Sequence, residues 1–293
     1  MATNPKEIAD RSFVAIKING KNYFGNPNET ILDVSKRNGI EIPHLCFKEG
    51  MRPDGNCRAC MVEIEGERVL AASCVRTPSE GMTVFSKGDR VESNRKIVFD
   101  LLASDMPKQE TSPDPESHFW SQAAEANFSS PSFPSGRPGA KKEIPVDSIF
   151  HDDSHPSISV NLDACISCGL CERACKEVQV NDVIGMANRG IDTVPTFDIT
   201  DAMGVSSCVA CGECVQACPT GALMEKSLLN DKGTVREVYP DKKIESVCPF
   251  CGVGCRTEVS VNSNKIVSVD GIQGPANRGI LCFNGRFGLD YVI

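Results

Sequence analysis

The sequence predicts an α+β, multidomain protein, and three observations support this fold class. A chain of 293 residues is long enough for two or more compact domains, each with its own core. Short alternating runs that predict β-hairpins stand next to short amphipathic runs that predict helices. Sixteen cysteines fall into four groups of four, with none left over. The cysteine groups therefore set the organisation of the chain.

The composition of the chain indicates whether these cysteines form disulfides or bind metal. No apolar run reaches the roughly eighteen residues of a membrane span, and the N-terminus shows no secretory signal pattern. We therefore expect a cytoplasmic protein without membrane insertion, in a compartment where thiols stay reduced and clustered cysteines indicate metal rather than disulfides. The net charge of -8 gives no basic surface for nucleic acid, so the expected partners are proteins.

The first group has the spacing C-x10-C-x2-C-x13-C, and its flanking sequence indicates the fold. "FVAIKINGKNYFG" alternates around Asn19-Gly20 and predicts a hairpin. "ETILDVSKRNG" predicts a short helix with Thr30 as its cap, Asp33 three residues later, and Gly39 at its end. A second hairpin, "CMVEIEGERVLAASC", follows. The ligands of this group are Cys46, Cys57, Cys60 and Cys74.

Hairpin, helix and cysteine loop, with "PHLCF" and "GNCRACMVEIEG", resemble the β-grasp [2Fe-2S] ferredoxin domain of the large iron-sulfur subunit of NADH dehydrogenases. The resemblance implies a β-grasp domain over residues 1–86 and one [2Fe-2S] cluster on this group. Gly55 would let backbone amides approach the cluster sulfurs. Zinc on the same ligands is the alternative, because a single C-x2-C pair also occurs in zinc sites.

Residues 87–157 are predicted to form a helix followed by an irregular linker without a cluster. "GDRVESNRKIVFDLLASD" predicts the helix, with a core-facing stripe of apolar side chains. The stripe comprises Val91, Ile97, Val98, Leu101 and Leu102. The stretch from Met106 to Pro156 is rich in serine and proline and shows no sustained period, which is typical of a linker.

The two middle groups carry the strongest signal, because C-x2-C-x2-C-x3-C occurs twice. Three thiolates at three-residue steps bind three corners of a [4Fe-4S] cube, and in two-cluster ferredoxins the last cysteine of each run serves the other cluster. Residues 158–243 are therefore predicted to form a double [4Fe-4S] ferredoxin-like domain. The predicted ligand sets are Cys165, Cys168, Cys171 and Cys218 for one cluster, and Cys208, Cys211, Cys214 and Cys175 for the other. Structural zinc sites are the alternative.

The last group, C-x2-C-x3-C-x26-C, spans a predicted hairpin, "RTEVSVNSNKIVSVDG". "VCPFCGVGC" and "GPANRGILCFNGRFGLDYV" resemble the N-terminal cluster domain of molybdopterin-dependent oxidoreductases, specifically formate dehydrogenases. The resemblance implies a truncated, small β-rich domain over residues 244–293. It also implies a third [4Fe-4S] cluster on Cys248, Cys251, Cys255 and Cys282. This chain has Asn284 where the family often has the lysine that lies between cluster and pterin.

One cluster of the superfamily is expected to be absent. Its motif, H-x3-C-x2-C-x5-C, has only one candidate here, "HFWSQAAEANFSSP". With His118 on the motif histidine, the cysteine positions become Gln122, Glu125 and Pro131, which make no iron-sulfur site. This departure favours a subset of cytoplasmic NAD-dependent formate dehydrogenase large subunits over NADH dehydrogenase itself.

The function implied by these resemblances is electron relay. By resemblance, formate is oxidised at a molybdopterin guanine dinucleotide carrying molybdenum or tungsten, in domains that these 293 residues lack. We expect that site in a missing remainder or a partner chain, and we expect electrons to leave toward a flavin- and iron-sulfur-containing subunit that reduces NAD+. No catalytic residue is predicted in this chain. The alternatives are the electron-transfer subunit of an NAD-linked hydrogenase or NADH dehydrogenase-like complex, and a zinc scaffold.

Overall fold

The computed structural model describes residues 13–128, 130–132, 151–231, 233–235 and 240–289. The chain divides into two compact units, Met1–Ser104 with Ser121–Pro134, and Asp105–Trp120 with Ser135–Ile293. In the described ranges, no helix is both long and apolar enough to cross a membrane. The N-terminal residues on which the prediction about targeting signals rested lie outside the described part.

The first unit contains a five-stranded sheet. Its strands are β1 (Val14–Ile18), β2 (Lys21–Gly25), β3 (Met61–Ile64), β4 (Ala71–Ala72) and β5 (Thr83–Phe85), in the order β2-β1-β5-β3-β4. β1 pairs antiparallel with β2 and parallel with β5. Both hairpins expected here, β1-β2 and β3-β4, are confirmed. Asn19 and Gly20 make the first turn at φ of 49° and 82°, a conformation that this residue pair tolerates.

Helix α1 (Ile31–Arg37) follows the first hairpin, as the sequence predicts. The Thr30 hydroxyl accepts from the Asp33 backbone N–H at 3.1 Å, and the Asp33 carboxylate accepts from the Thr30 N–H at 2.9 Å. This reciprocal pair is a capping box, which satisfies two otherwise orphaned N–H groups. The buried side chains of Ile31 and Leu32 pack with those of the sheet in one core.

Helix α2 (Asp89–Ser104) also lies where the sequence predicts a helix, and the predicted core stripe is confirmed at Val91 but wrong at Ile97 and Leu101. Ile97 and Leu101 are 50% and 51% exposed. Besides Val91, the buried face carries Phe99 and the polar Arg95, whose guanidinium donates to the Met61 carbonyl at 3.1 Å. A partnered arginine can occupy a core position, and apolar periodicity alone does not reveal it.

The irregular linker predicted from Met106 to Pro156 is wrong at α3 (His118–Glu125). The Phe119 side chain is fully buried and Trp120 is 8% exposed, so aromatic burial stabilises this helix despite the Ser/Pro-rich surroundings. In the second unit, the Phe119 N–H donates to the Pro219 carbonyl at 2.8 Å. Residues 133–150 of the predicted linker lie outside the described residues.

The second unit begins with two small sheets and two short helices. The sheets are β10 (Leu223–Glu225), β7 (Ile158–Asn161) and β6 (His151–Asp152) in that order, and β8 (Ile184–Ala187) with β9 (Val194–Phe197). The helices are α4 (Leu170–Arg173), continued by a π-helical turn over Ala174–Val178, and α5 (Glu213–Ala217). Gly169 and Gly212 precede the two helices at φ of 72° and 73°, which repeats one local geometry in both cysteine runs.

The C-terminal part of the second unit is a three-stranded antiparallel sheet followed by a helix. Its strands are β11 (Lys242–Val247), β12 (Arg256–Asn262) and β13 (Lys265–Gly271), and the helix is α6 (Phe283–Phe287). The predicted β12-β13 hairpin is confirmed. Ser263 and Asn264 form its turn, both at positive φ. Cys248, Cys251 and Cys255 lie in the loop between β11 and β12, and Cys282 directly precedes α6.

Candidate metal centres

The first unit gathers the first cysteine group around the β3-β4 hairpin. Cys60 directly precedes β3 and Cys74 follows β4, and the pairing of Met61 with Ala72 brings these two cysteines together. Cys46, Cys60 and Cys74 are buried, and all sixteen cysteines of the chain are free of disulfides. The hairpin predicted from sequence is thus the element that closes this site.

Backbone and thiol donors converge on Cys46. The Cys57 N–H donates to its Sγ at 3.4 Å. Hydrogen bonds from the thiols of Cys57 and Cys74 lower the pKa of Cys46 to about 2. Gly55 stands at φ of 64°, and a β-carbon there would lie 2.8 Å from the Val75 side chain, so the loop conformation requires glycine. Four gathered sulfurs with amide donors fit the ligand set of a [2Fe-2S] cluster.

The second unit brings the two middle cysteine runs together in a crossed arrangement. Burial, followed by the nearby charges of Cys165, Cys168 and Cys218, raises the pKa of the Cys171 thiol. One cavity is lined by all four of these cysteines together with apolar side chains such as Leu162. The last cysteine of the second run therefore lies with the first three of the first run.

The other crossed set, Cys208, Cys211 and Cys214 with Cys175, also consists of thiols that lie near one another. Burial, followed by the charges of Cys211, Cys208 and Cys175, raises the pKa of the Cys214 thiol. The Val183 N–H donates to Cys175 Sγ at 3.3 Å, and the Ala210 N–H donates to Cys208 Sγ at 3.4 Å. Cys175 lies in the π-helical turn that extends α4. Four thiols with amide donors in an apolar surrounding fit a [4Fe-4S] cluster.

The last cysteine group lies near the protein surface. The Cys248 N–H donates to the Cys255 carbonyl at 2.8 Å, which joins the two arms of the loop. Burial and then the charges of Cys248, Cys251 and Cys282 raise the pKa of Cys255. Cys251 and Cys282 are exposed. The assignment of these four cysteines to one ligand set stays a prediction, and two of them lie at the surface.

Among the described residues, no three or more His, Cys, Asp or Glu side chains are arranged to hold a single metal ion. A tetrahedral zinc ion draws its cysteine sulfurs to about 2.3 Å from one point. A [2Fe-2S] or [4Fe-4S] cluster distributes its ligands over several iron atoms, so its sulfurs need not converge on one point.

Two polar side chains of these regions were not predicted to have a role. Gln122, which stands at a cysteine position of the missing-cluster motif, accepts a hydrogen bond from the His44 backbone N–H at 3.1 Å. His44 itself bonds the Ile42 carbonyl through Nδ1 at 2.9 Å. Arg286 is 2% exposed although it lies in the motif "GRFG" near the C-terminus. The hydrophobic periodicity of the sequence predicts neither the contact of Gln122 nor the burial of Arg286.

Three domain families match successive parts of the chain. Residues 11–88 match the 2Fe-2S iron-sulfur cluster binding domain. Residues 164–222 match the 4Fe-4S dicluster domain. Residues 241–293 match the molybdopterin oxidoreductase Fe4S4 domain. Each described cysteine group therefore falls inside a domain family that binds an iron-sulfur cluster.

Longer relatives align with nearly the whole chain. The chain is 30% identical over 285 residues to an NADH-quinone oxidoreductase subunit of Rhizobium meliloti, covering 95% of this chain. It is 30% identical over 320 residues to the formate dehydrogenase-like protein YrhE of Bacillus subtilis, covering 97% of this chain. The chain is an iron-sulfur protein related to both. It spans 31% and 32% of the lengths of these two relatives.

A solved structure shows the same fold. The crystal structure of NAD+-reducing [NiFe]-hydrogenase in the H2-reduced state superposes with a TM-score of 0.62 at 24% identity. The match covers 73% of this chain and 87% of that chain. This likeness shows that the present chain shares the mixed α/β fold of that chain.

Proposed function

We propose that this chain is the iron-sulfur electron relay of a cytoplasmic, NAD-dependent formate dehydrogenase. The observation that carries the proposal is the order of the domains, in which a molybdopterin oxidoreductase Fe4S4 domain directly follows a dicluster domain. The alignment with the formate dehydrogenase-like YrhE over nearly the whole chain supports it. Formate oxidation itself is assigned to a molybdopterin site outside these residues.

The proposed ligand sets are the four cysteine groups, with the middle two crossed. They hold one [2Fe-2S] cluster on Cys46, Cys57, Cys60 and Cys74, and one [4Fe-4S] cluster on Cys248, Cys251, Cys255 and Cys282. The crossed [4Fe-4S] sets are Cys165, Cys168, Cys171 with Cys218, and Cys208, Cys211, Cys214 with Cys175. The first crossed set is supported by the cavity that its four cysteines line together. The second is supported by the charges of Cys211, Cys208 and Cys175, which raise the pKa of Cys214.

The residues around these cysteines set up one-electron transfer, which is the chemistry that bound clusters supply. Backbone amides at Val183, Ala210 and Cys57 donate to cysteine sulfurs and stabilise negative charge on them. Apolar neighbours such as Leu162 exclude water from the Cys171 site. With clusters bound, the proposed route would enter at the Cys248 site, pass the two middle sites and leave toward a flavin-bearing subunit, with the [2Fe-2S] site as outlet or side branch.

The surface around the last cysteine group supports a protein partner there. Phe250, Val253 and Phe283 are 38%, 58% and 42% exposed, next to the exposed Cys251 and Cys282. Apolar side chains around an exposed redox site favour contact with another protein surface. We assign this surface to the molybdopterin-bearing remainder or partner, from which electrons enter.

The alternative is the electron-transfer subunit of an NAD-linked hydrogenase or NADH dehydrogenase-like complex. The similarity to the NADH-quinone oxidoreductase subunit of Rhizobium meliloti favours it. Because that alignment covers 95% of this chain, it also extends into the molybdopterin-type domain at residues 241–293, so the order of the domains does not separate the two functions. The two functions differ in the electron donor, which is formate in one case, and hydrogen or NADH in the other.

An anaerobic metal count of the purified chain is the first test. One [2Fe-2S] and three [4Fe-4S] clusters require about fourteen iron atoms with equal sulfide. Zinc in place of iron would contradict the relay function altogether. The chain should then be combined with its co-purified molybdopterin-bearing partner under argon, and reduction by formate followed by EPR. Reduction by hydrogen with no response to formate would favour the alternative.

A further inference from the structure

Arg286 makes a buried polar network between the last cysteine group and one of the middle groups. It lies on α6, which starts directly after Cys282, and its side chain is fully excluded from solvent. Its Nε donates to the carbonyl oxygen of Cys211 at 3.3 Å. Arg286 thus lies on a helix that follows Cys282, a proposed ligand of the last site. Its guanidinium contacts the backbone of Cys211, a proposed ligand of one of the middle sites.

The rest of the network holds the guanidinium in place. Nη1 donates to Asp270 Oδ1 at 3.1 Å, and Nη2 donates to Gln216 Oε1. Glu213, 3% exposed, places its Oε2 3.8 Å from Nη2. Gln216 in turn donates to the Gly271 carbonyl at 3.2 Å, so β13 and α5 are joined twice. A buried arginine with this many partners has one preferred position.

Gly212 makes this approach possible. A β-carbon at this position would lie 2.2 Å from Arg286 Cδ and 2.7 Å from its Nε. The guanidinium thus passes over the backbone of the loop that carries Cys211, at a distance that only glycine permits. Phe287, the next residue on α6, packs in the same core as Cys175 and Cys214. The contact is therefore a specific fit between α6 and the Cys211 site.

We propose that Arg286 is a positioning residue between the Cys248 site and the site of Cys208, Cys211, Cys214 and Cys175, here called the Cys211 site. It fixes these two sites against each other and sets the reduction potential of the Cys211 site. The proposal rests on the relay function above. With clusters bound, transfer from the Cys248 site would add one electron to the Cys211 site, with no bond made or broken. The guanidinium stabilises the additional negative charge of the reduced state, because charge and hydrogen bonding near the sulfurs set cluster potentials.

The test compares two substitutions at Arg286 in the chain purified anaerobically with its clusters. EPR-monitored titration with dithionite gives the midpoint potential of each cluster. The Cys208→Ser variant identifies the signal of the Cys211 site. Arg286→Met should move that midpoint to lower potential, and Arg286→Lys should restore part of the shift. The matched control is Arg189→Met, which removes the same charge from an exposed turn residue and should leave every midpoint unchanged.

If Arg286→Met binds no iron, a second variant that removes a negative charge instead of a positive one still tests the proposal. The Asp270 side chain is 43% exposed, so Asp270→Asn should fold while it removes the negative charge that partners Arg286. This variant should move the Cys211-site midpoint upward. Unchanged midpoints in Asp270→Asn, or in an Arg286→Met variant with wild-type iron content, would overturn the proposal. Because dithionite is the reductant, this result does not depend on whether formate is the physiological donor.

Discussion

Cys171 and Cys218 line the same cavity of the second unit, although they belong to different cysteine runs. The contact arises because α4 and α5 start from equivalent left-handed glycines, so each run presents its first three cysteines in the same way. Cys218, the fourth cysteine of the second run, lies in the cavity of Cys171, and the charge of Cys175, the fourth cysteine of the first run, acts on Cys214. The crossed ligand sets of two [4Fe-4S] clusters stay a prediction, which this arrangement supports.

Exchanging Cys175 or Cys218 for serine tests the crossed ligand sets. Cys175→Ser should remove or convert the cluster of Cys208, Cys211 and Cys214, with a loss of up to about four iron atoms. Cys218→Ser should act on the Cys165 cluster instead, so each variant is the control for the other. Iron analysis and EPR of the two dithionite-reduced variants make the measurement. Loss of the Cys165 signal in Cys175→Ser would contradict the assignment.

Gln122 should contribute to the stability of the first unit. Gln122→Ala leaves the His44 N–H without its side-chain acceptor, and a partly buried hydrogen bond of this kind contributes about 1 kcal/mol. The urea midpoint of the variant should fall accordingly. Glu125→Ala, at an exposed position of the same helix, is the matched control and should behave like the wild type. Equal effects of both substitutions would assign the loss to helix α3 in general.

The cap of α1 gives a second stability prediction. Thr30→Ala removes the hydroxyl of the capping box and should lower the free energy of unfolding by about 1 kcal/mol. Thr30→Ser retains the oxygen and should stay close to the wild type. Urea unfolding followed by circular dichroism compares the three proteins. A Thr30→Ser variant as unstable as Thr30→Ala would mean that the methyl group, rather than the cap, is responsible.

His155 should make the second unit sensitive to acid. Its Nδ1 accepts from the N–H groups of Ser157 and Ile158 at 3.2 and 3.1 Å, which requires the unprotonated nitrogen. Burial lowers the pKa of His155, the Lys226 charge lowers it further, and the Asp152 charge opposes this. Because the unfolded chain takes up the proton near pH 6.5, stability is full above this pH and falls as the pH decreases through it.

The measurement for His155 is the thermal midpoint of the second unit between about pH 7.5 and 5. His155→Asn keeps an acceptor oxygen near the Nδ1 position and cannot titrate, so its midpoint should depend less on pH in this range. The exposed His151 provides the control, since His151→Asn should retain the acid-induced decrease. The same pH profile in wild type and His155→Asn would show that another group is responsible.

The sequence determined the local elements and the chemistry of the donors. Alternation around Asn19-Gly20 and the Thr30/Asp33 pair predicted β1-β2 and α1, because turn and cap preferences act over a few residues. Cysteine spacing predicted four ligand sets, since cluster geometry limits the distances between ligands along the chain. The domain families and relatives agree on iron-sulfur domains in this order.

Only the tertiary structure decided which residues fill the spaces between these elements. It replaced Ile97 and Leu101 by Arg95 and Phe99 on the buried face of α2, because the Met61 carbonyl partners a polar side chain there. It formed α3 inside a predicted linker by burying Phe119. It also placed Arg286 over Gly212, a contact between distant parts of the chain that no periodic pattern encodes. Local preferences are written in neighbouring residues, whereas burial and long-range polar pairing depend on what the whole chain brings together.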